Sequence, residues 1–196
     1  LARNPAASFA QQRIAHGVVG QAHFDLGEFA PAEQSWLKAR ELAAGDATLQ
    51  KNLTEQLSVA VYRQAEAKRA AGDATGAITD FLRVASVAPG TPAVETAQYD
   101  AAAELIKLKD WPRAPTVLEG FRRDYPKSKH QPDITQKLAV AYMEAGRADA
   151  AAAEFERIAD TRDQTPAVRL EALSIAADQM EKSGNTARTR LMRRSL

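Results

Sequence analysis

Cysteine is absent from this 196-residue chain and aromatic residues make up only 6% of it. Without cysteine there are no disulfides, thiolate metal sites or cysteine nucleophiles. The compartment stays open, because a cysteine-free chain suits oxidising and reducing surroundings alike. Nowhere does the sequence approach the roughly 18–20 consecutive apolar residues that a bilayer-crossing helix needs. Charge of one sign is missing too. Lys plus Arg number 26 against 25 Asp plus Glu, so the net charge of +1 gives no global pull toward nucleic acid or an anionic membrane. No Gly-rich phosphate loop and no Gly-x-Ser-x-Gly elbow occurs. What the chain has is alanine, which supplies 41 residues of the 45% hydrophobic fraction. Much alanine with few β-branched or aromatic residues favours packed helices over sheet. The length suits one ordinary domain or a short repeat array.

The helix-stop signals recur. They read Leu26-Gly27-Glu28, Ala71-Gly72-Asp73, Lys109-Asp110-Trp111, Ala145-Gly146-Arg147 and Ser183-Gly184-Asn185, at intervals of 45, 37, 37 and 38 residues. Five residues after each of the first four stops stands an alanine: Ala32, Ala77, Ala114 and Ala151. Four residues further comes a large apolar residue, Trp36, Phe81, Leu118 or Phe155. Seven residues before each stop is another small residue: Gly20, Ala65, Ala102, Ala139 and Ala177. Such a pattern describes helical hairpins. A first helix ends at the stop, a tight turn follows, and small residues meet where the second helix crosses the first. One hairpin cannot bury its apolar face alone, so the units must stack.

These residues resemble the tetratricopeptide repeat (TPR) family. Its small residue, aromatic, Gly, Ala and aromatic stand as Ala139, Tyr142, Gly146, Ala151 and Phe155, and its closing Pro as Pro89 and Pro126. His23, Lys68 and Leu105 depart from the first-helix aromatic, Lys109 replaces one Gly, and Asp163 takes a closing-Pro position. The resemblance implies an all-α, right-handed TPR-like superhelix of about ten or eleven antiparallel helices. Its units would run about 13–46, 58–91, 95–128, 132–165 and 170–196. The eight residues by which the first interval exceeds the next are expected in a long helix from Ala47 to Ala71 capped by Asp46. Leu49, Leu53, Leu57 and Val61 would form its buried stripe. Closing a unit with Tyr125-Pro126-Lys127-Ser128 is similar to bacterial cell-envelope TPR proteins of the Tol–Pal and β-barrel assembly machineries. That likeness implies a periplasmic or envelope location, with the cytoplasm as alternative.

No residue set nominates an enzyme, a metal or a cofactor. His16 and His23 share a helix face but lack a third ligand at metal spacing. Asp25 and Glu28 at a helix junction read as cap and dipole partners. The TPR resemblance implies a scaffold that binds a partner protein or peptide in a groove lined by first helices. Its groove positions fall on Gly17, Gln21 and Phe24, on Tyr62, Glu66 and Arg69, on Tyr99, Ala103 and Ile106, and on Gln136, Val140 and Met143. Tyr62 and Tyr99, one repeat apart, would form an aromatic track or else pack between units. The basic clamp of chaperone-binding TPR proteins is not recognisable, since Gly17 and Gln21 stand where its first Lys and Asn would be expected, which argues against a chaperone-adaptor role. Two basic clusters, Arg122, Arg123, Lys127, Lys129, His130 and Arg188, Arg190, Arg193, Arg194, read as solvated surface, so no nucleic acid is expected. The alternatives are a regulatory or substrate-presenting arm of a larger enzyme, and a binder of anionic polymers. At the ends, Asn4 reads as an N-cap with Pro5 as first helical residue, and the last helix is expected to stop at Ser195-Leu196, as in a segment of a longer protein.

Overall fold

The computed structural model describes residues 5–194, with side chains from Ser8 onward. The Asn4 cap and the Ser195-Leu196 stop lie outside the described residues. Among these, the chain forms ten helices and no strand: α1 (Pro5–Asp25), α2 (Phe29–Leu42), α3 (Ala47–Ala70), α4 (Ala74–Val87), α5 (Pro92–Lys107), α6 (Ala114–Asp124), α7 (Gln131–Glu144), α8 (Ala148–Ala159), α9 (Pro166–Lys182) and α10 (Thr186–Arg194). No described helix is long and apolar enough to cross a membrane. The chain divides into two compact units, the first ending at Ala101 and the second beginning at Ala102 within α5. In the first unit α1 packs on α2, α2 on α3 and α3 on α4. In the second, α6 packs on α7, α7 on α8, α8 on α9 and α9 on α10. Helices that lean on their chain neighbours in succession are stacked hairpins, as the sequence pattern requires.

All five expected turns close in one way. Gly27, Gly72, Lys109, Gly146 and Gly184 have positive φ. Each donates its N–H to the carbonyl three residues back, and the next residue donates to the carbonyl five back: His23, Lys68, Leu105, Tyr142 or Met180, at 2.8–3.0 Å. Two crossed bonds of this kind satisfy the last carbonyls of the first helix and demand a left-handed residue between them. Four of the five sites use glycine, which enters that region freely. Lys109 enters it as well, at φ 55°, so the turn geometry has been kept where the glycine has not.

The long helix is α3. Asp46 caps it, accepting from the Leu49 N–H at 3.0 Å, and Leu53, Leu57 and Val61 are buried along one stripe. Leu49 packs half-buried against the same core, with Trp36 and Ala39 of α2 and Ala43 just after it. The small and large positions of the repeat are all interior. Ala32, Ala65, Ala77, Ala102, Ala114, Ala139 and Ala151 have no exposed surface, and Phe81 and Leu118 none either.

Gly20 shows why the first member of the small series has lost even its methyl group. A Cβ there would run into the Trp36 indole, whereas a Cβ at Gly17, one turn earlier, would meet nothing within 4 Å. The indole is held in place by a hydrogen bond from Nε1 to the Gly17 carbonyl at 3.3 Å. Gly17→Ala is therefore expected to stabilise the first unit by up to about 1 kcal/mol through helix propensity. Gly20→Ala is expected to lose about 1–2 kcal/mol, overpacking outweighing the same gain. Urea unfolding of the two variants should shift in opposite directions. A rise in midpoint for both would mean that Trp36 yields without cost.

Candidate functional site

The first-helix faces carry a built polar cluster in the first unit. The Tyr62 ring of α3 lies 5.3 Å from the ring of Phe81 on α4. Its hydroxyl donates to Asp100 Oδ2 on α5 at 2.5 Å. Arg69, two turns along α3, sets its guanidinium 5.0 Å from the Phe81 ring centre and 3.7 Å from the same carboxylate. Burial, and after it the Asp100 carboxylate, push the Tyr62 hydroxyl well above its ordinary pKa, so it stays a protonated donor. Tyr62 and Arg69 are thus brought together by a residue that the sequence reading left out, Asp100. The second unit has a similar trio. Tyr142 donates to Glu119, and Arg147 sits 4.6 Å from the Tyr142 ring centre and 3.6 Å from Glu119.

The remaining expected groove residues divide between display and packing. Glu66 is half-buried and pairs at 3.5 Å with Arg63 on its own helix. Tyr99 is half-buried on α5. Gln21 is exposed and donates to Asp25 at 2.8 Å. Phe24 packs inward, its ring 5.2 Å from Phe29 and 5.5 Å from Trp36. In the second unit Gln136 is exposed, while Met143 packs against the core of α8 and α9. Gly17, Ala103 and Ile106 are half-buried and Val140 is exposed.

Buried carboxylates are the feature that the sequence reading missed. Glu33 on α2 is 3% exposed, yet it takes a bidentate pair from Arg83 at 2.5 and 3.0 Å and a bond from Gln64 at 2.6 Å. Asp80, equally buried, is met by Lys68 at 2.6 Å and by Arg83 at 3.1 Å. Glu154 on α8 takes a bidentate pair from Arg122 at 2.7 and 2.6 Å. A signal existed. Asp80 and Glu154 both stand eight residues after their stop glycines, and Arg83 and Arg157 eleven after.

These pairs absorb much of the positive charge. Arg122 of the first basic cluster is committed to Glu154, and Arg123 pairs with Asp124 at 2.9 Å. In the second, Arg188 holds Glu156 at 2.6 Å, and Arg193 holds Glu181 and, at 3.5 Å, Asp178. His23 meets Glu28 at 2.5 Å. Glu28 stands at the N-cap of α2, yet its side chain makes no cap bond, so the capping role expected of it is not the one it plays.

Fold and surface together define an all-α stack of helical hairpins presenting pre-set polar side chains. No family model matches the chain, and no curated protein matches it. Solved structures do resemble it. BtubC (BKLC) from P. vanneervenii is 17% identical with a TM-score of 0.48, over 97% of this chain and 90% of that one. A Podosopora anserina putative kinesin light chain with nearly identical TPR-like repeats is 15% identical with a TM-score of 0.47, over 97% and 93%. MamA from Desulfovibrio magneticus RS-1 is 16% identical with a TM-score of 0.45, over 94% and 96%. Likenesses this distant say nothing of what this chain binds, and its hairpin architecture rests on its own helices and turns.

Proposed function

We propose that this chain is a TPR-like interaction scaffold that holds a partner protein or peptide against its first-helix faces and performs no chemistry of its own. The observation that carries this reading is the Tyr62–Asp100–Arg69 cluster. Its donors and ring on α3 are held by the Asp100 carboxylate of α5 before any ligand arrives, so binding spends little entropy on ordering them. A half-buried tyrosine beside a guanidinium offers an apolar ring and charge-assisted donors to a polar peptide. Tyr99, Glu66 and Gln21 extend the same kind of surface in the first unit, and Gln136 in the second. The envelope setting is proposed on the Tyr125-Pro126-Lys127-Ser128 resemblance, with a role in an assembly or transport complex.

The test is capture of the partner from an envelope extract, followed by affinity measurement. A Tyr62→Ala, Tyr99→Ala double variant is expected to keep its helical circular dichroism and to bind roughly thirtyfold more weakly or worse, the usual loss of an aromatic hot spot. Because the Tyr62 ring also supports Phe81, a Tyr62→Phe, Tyr99→Ala variant separates the site from the fold. It keeps the ring and loses only the Asp100 bond and the second tyrosine. Full binding by both variants, with loss on mutation of Arg190, Arg193 and Arg194, would move the working face to the terminal basic surface.

A further inference from the structure

The second unit holds a cleft of about 360 Å³ between the α6–α7 corner and the end of α8 with the loop that follows it. Pro126, Pro132 and Ile158 form its apolar walls. Its polar lining splits into a fixed set and an available one. Arg122 is locked, bidentate to Glu154 and bonded to Thr135 Oγ1 at 3.2 Å. Gln131 is locked too, its amide donating to the Tyr125 carbonyl at 2.6 Å. Arg157, Gln136 and Gln164 are the available set. Arg157 is 61% exposed and lies 3.6 Å from the Glu154 oxygen that Arg122 already holds, too long for a hydrogen bond. Gln136 and Gln164 lie exposed and half-buried at the lining, and their side chains form no hydrogen bond among the described residues.

Charge decides what such a cleft accepts. Arg122 and Glu154 cancel, so Arg157 leaves the lining one positive charge in excess, with two amides able to donate beside it. We infer that this cleft is a docking site for an acidic side chain of an extended peptide, its carboxylate on the Arg157 guanidinium and its neighbouring main chain on Gln136 and Gln164. A guanidinium takes a carboxylate through two parallel N–H groups, and prolines and Ile158 cover the apolar stem of a glutamate. The rigid Arg122–Glu154 pair keeps the walls apart without itself being consumed. The inference goes beyond the first-helix reading and shares only Gln136 with it, so either can fail alone.

The test uses the whole chain and a capped pentapeptide of alanine and leucine with one central glutamate, followed by chemical-shift titration of the Gln136 and Gln164 side-chain amides. Those amides are expected to move, and the same peptide with glutamine at its centre is expected to bind about tenfold more weakly, the worth of one charge-assisted hydrogen bond. Arg157→Gln should abolish that preference, while Arg190→Gln should leave it intact. Arg157→Gln is safe for folding, since Arg122 still satisfies Glu154. Equal binding of the glutamate and glutamine peptides, or a preference surviving Arg157→Gln, overturns the proposal. So does tighter binding of an uncapped peptide without glutamate, which would make the carboxylate a chain terminus.

Discussion

Arg83→Met is expected to cost the first unit about 3 kcal/mol, near the lower end of what losing one partner of a buried ion pair costs. The guanidinium serves two carboxylates, Glu33 and Asp80, each only 3% exposed. Without it Glu33 keeps only Gln64, and Asp80 keeps only Lys68. Arg83 is itself 34% exposed, so water can reach part of the vacated space and the loss stays below the fully buried limit. The pair's net worth is a separate quantity. Glu33→Leu combined with Arg83→Met should recover the part of the loss that Glu33 causes, because an apolar replacement of both partners removes that stranded charge and leaves Asp80 to Lys68. Urea unfolding read by Trp36 fluorescence, in a Trp111→Phe background that leaves one tryptophan, reports on this unit alone. A cost under about 0.5 kcal/mol for the single variant would make the network a surface ornament.

The same variant has a pH signature. Burial is the largest influence on Glu33 and opposes its ionisation, but the bonds from Arg83 and Gln64 outweigh it and hold the carboxyl below its ordinary value. A carboxyl depressed in the folded state stabilises above its unfolded pKa and stops doing so as pH falls through the folded value. With Arg83 gone, burial dominates and protonation relieves the stranded charge. The gap in stability between wild type and Arg83→Met is therefore expected to begin narrowing as the pH falls through the variant's raised carboxyl value, above the ordinary carboxylate range, and to go on narrowing until the wild type's depressed value is passed. A gap independent of pH would mean that the arginine acts through packing alone.

The hairpins were legible because they follow from residues close in sequence. A glycine, a small residue seven before it and an alanine five after it specify a turn and a crossing with no knowledge of the rest of the chain. Even Lys109, which breaks the glycine series, was found by its interval. Asp46 was readable for the same reason, since a cap acts within three residues. The carboxylate partners were not, because they join residues that the helix pattern separates. Glu33 and Arg83 are 50 residues apart, Arg122 and Glu154 are 32, and Tyr62 and Asp100 are 38. Hydrophobic periodicity marks Glu33, Asp80 and Glu154 as polar interruptions on apolar faces, and polarity alone suggests solvent. Only the packing of helix on helix shows the cation waiting for each, within the α3–α4 hairpin for Asp80 and from another hairpin for Glu33 and Glu154. The same blindness affected the groove. Phe24 and Met143 sit at first-helix positions that the family resemblance would expose, yet neighbouring rings and α8–α9 side chains draw them inward.

Ala151→Trp is expected to destabilise the second unit by about 3 kcal/mol or more, at the top of the range for overpacking a closed core. Ala151 has no exposed surface on α8, and Ala139, the small residue of the facing helix α7, has none either. Two methyl groups at such a crossing set how near the axes lie, and an indole can enter only by pushing them apart. The displacement would spread to Ala152 and Phe155, which share the core formed with α9. Ala148, three residues earlier in the first turn of α8, is half-buried, so Ala148→Trp should find room toward solvent and cost far less. Both variants add the same side chain to the same helix, which cancels differences in helix propensity and leaves confinement as the variable. Far-UV circular dichroism against urea should give midpoints well apart, with Ala151→Trp the lower. Equal midpoints would mean that α7 and α8 separate freely at that point. The alanines of the repeat would then be fillers and not the spacers on which the stacked hairpins depend.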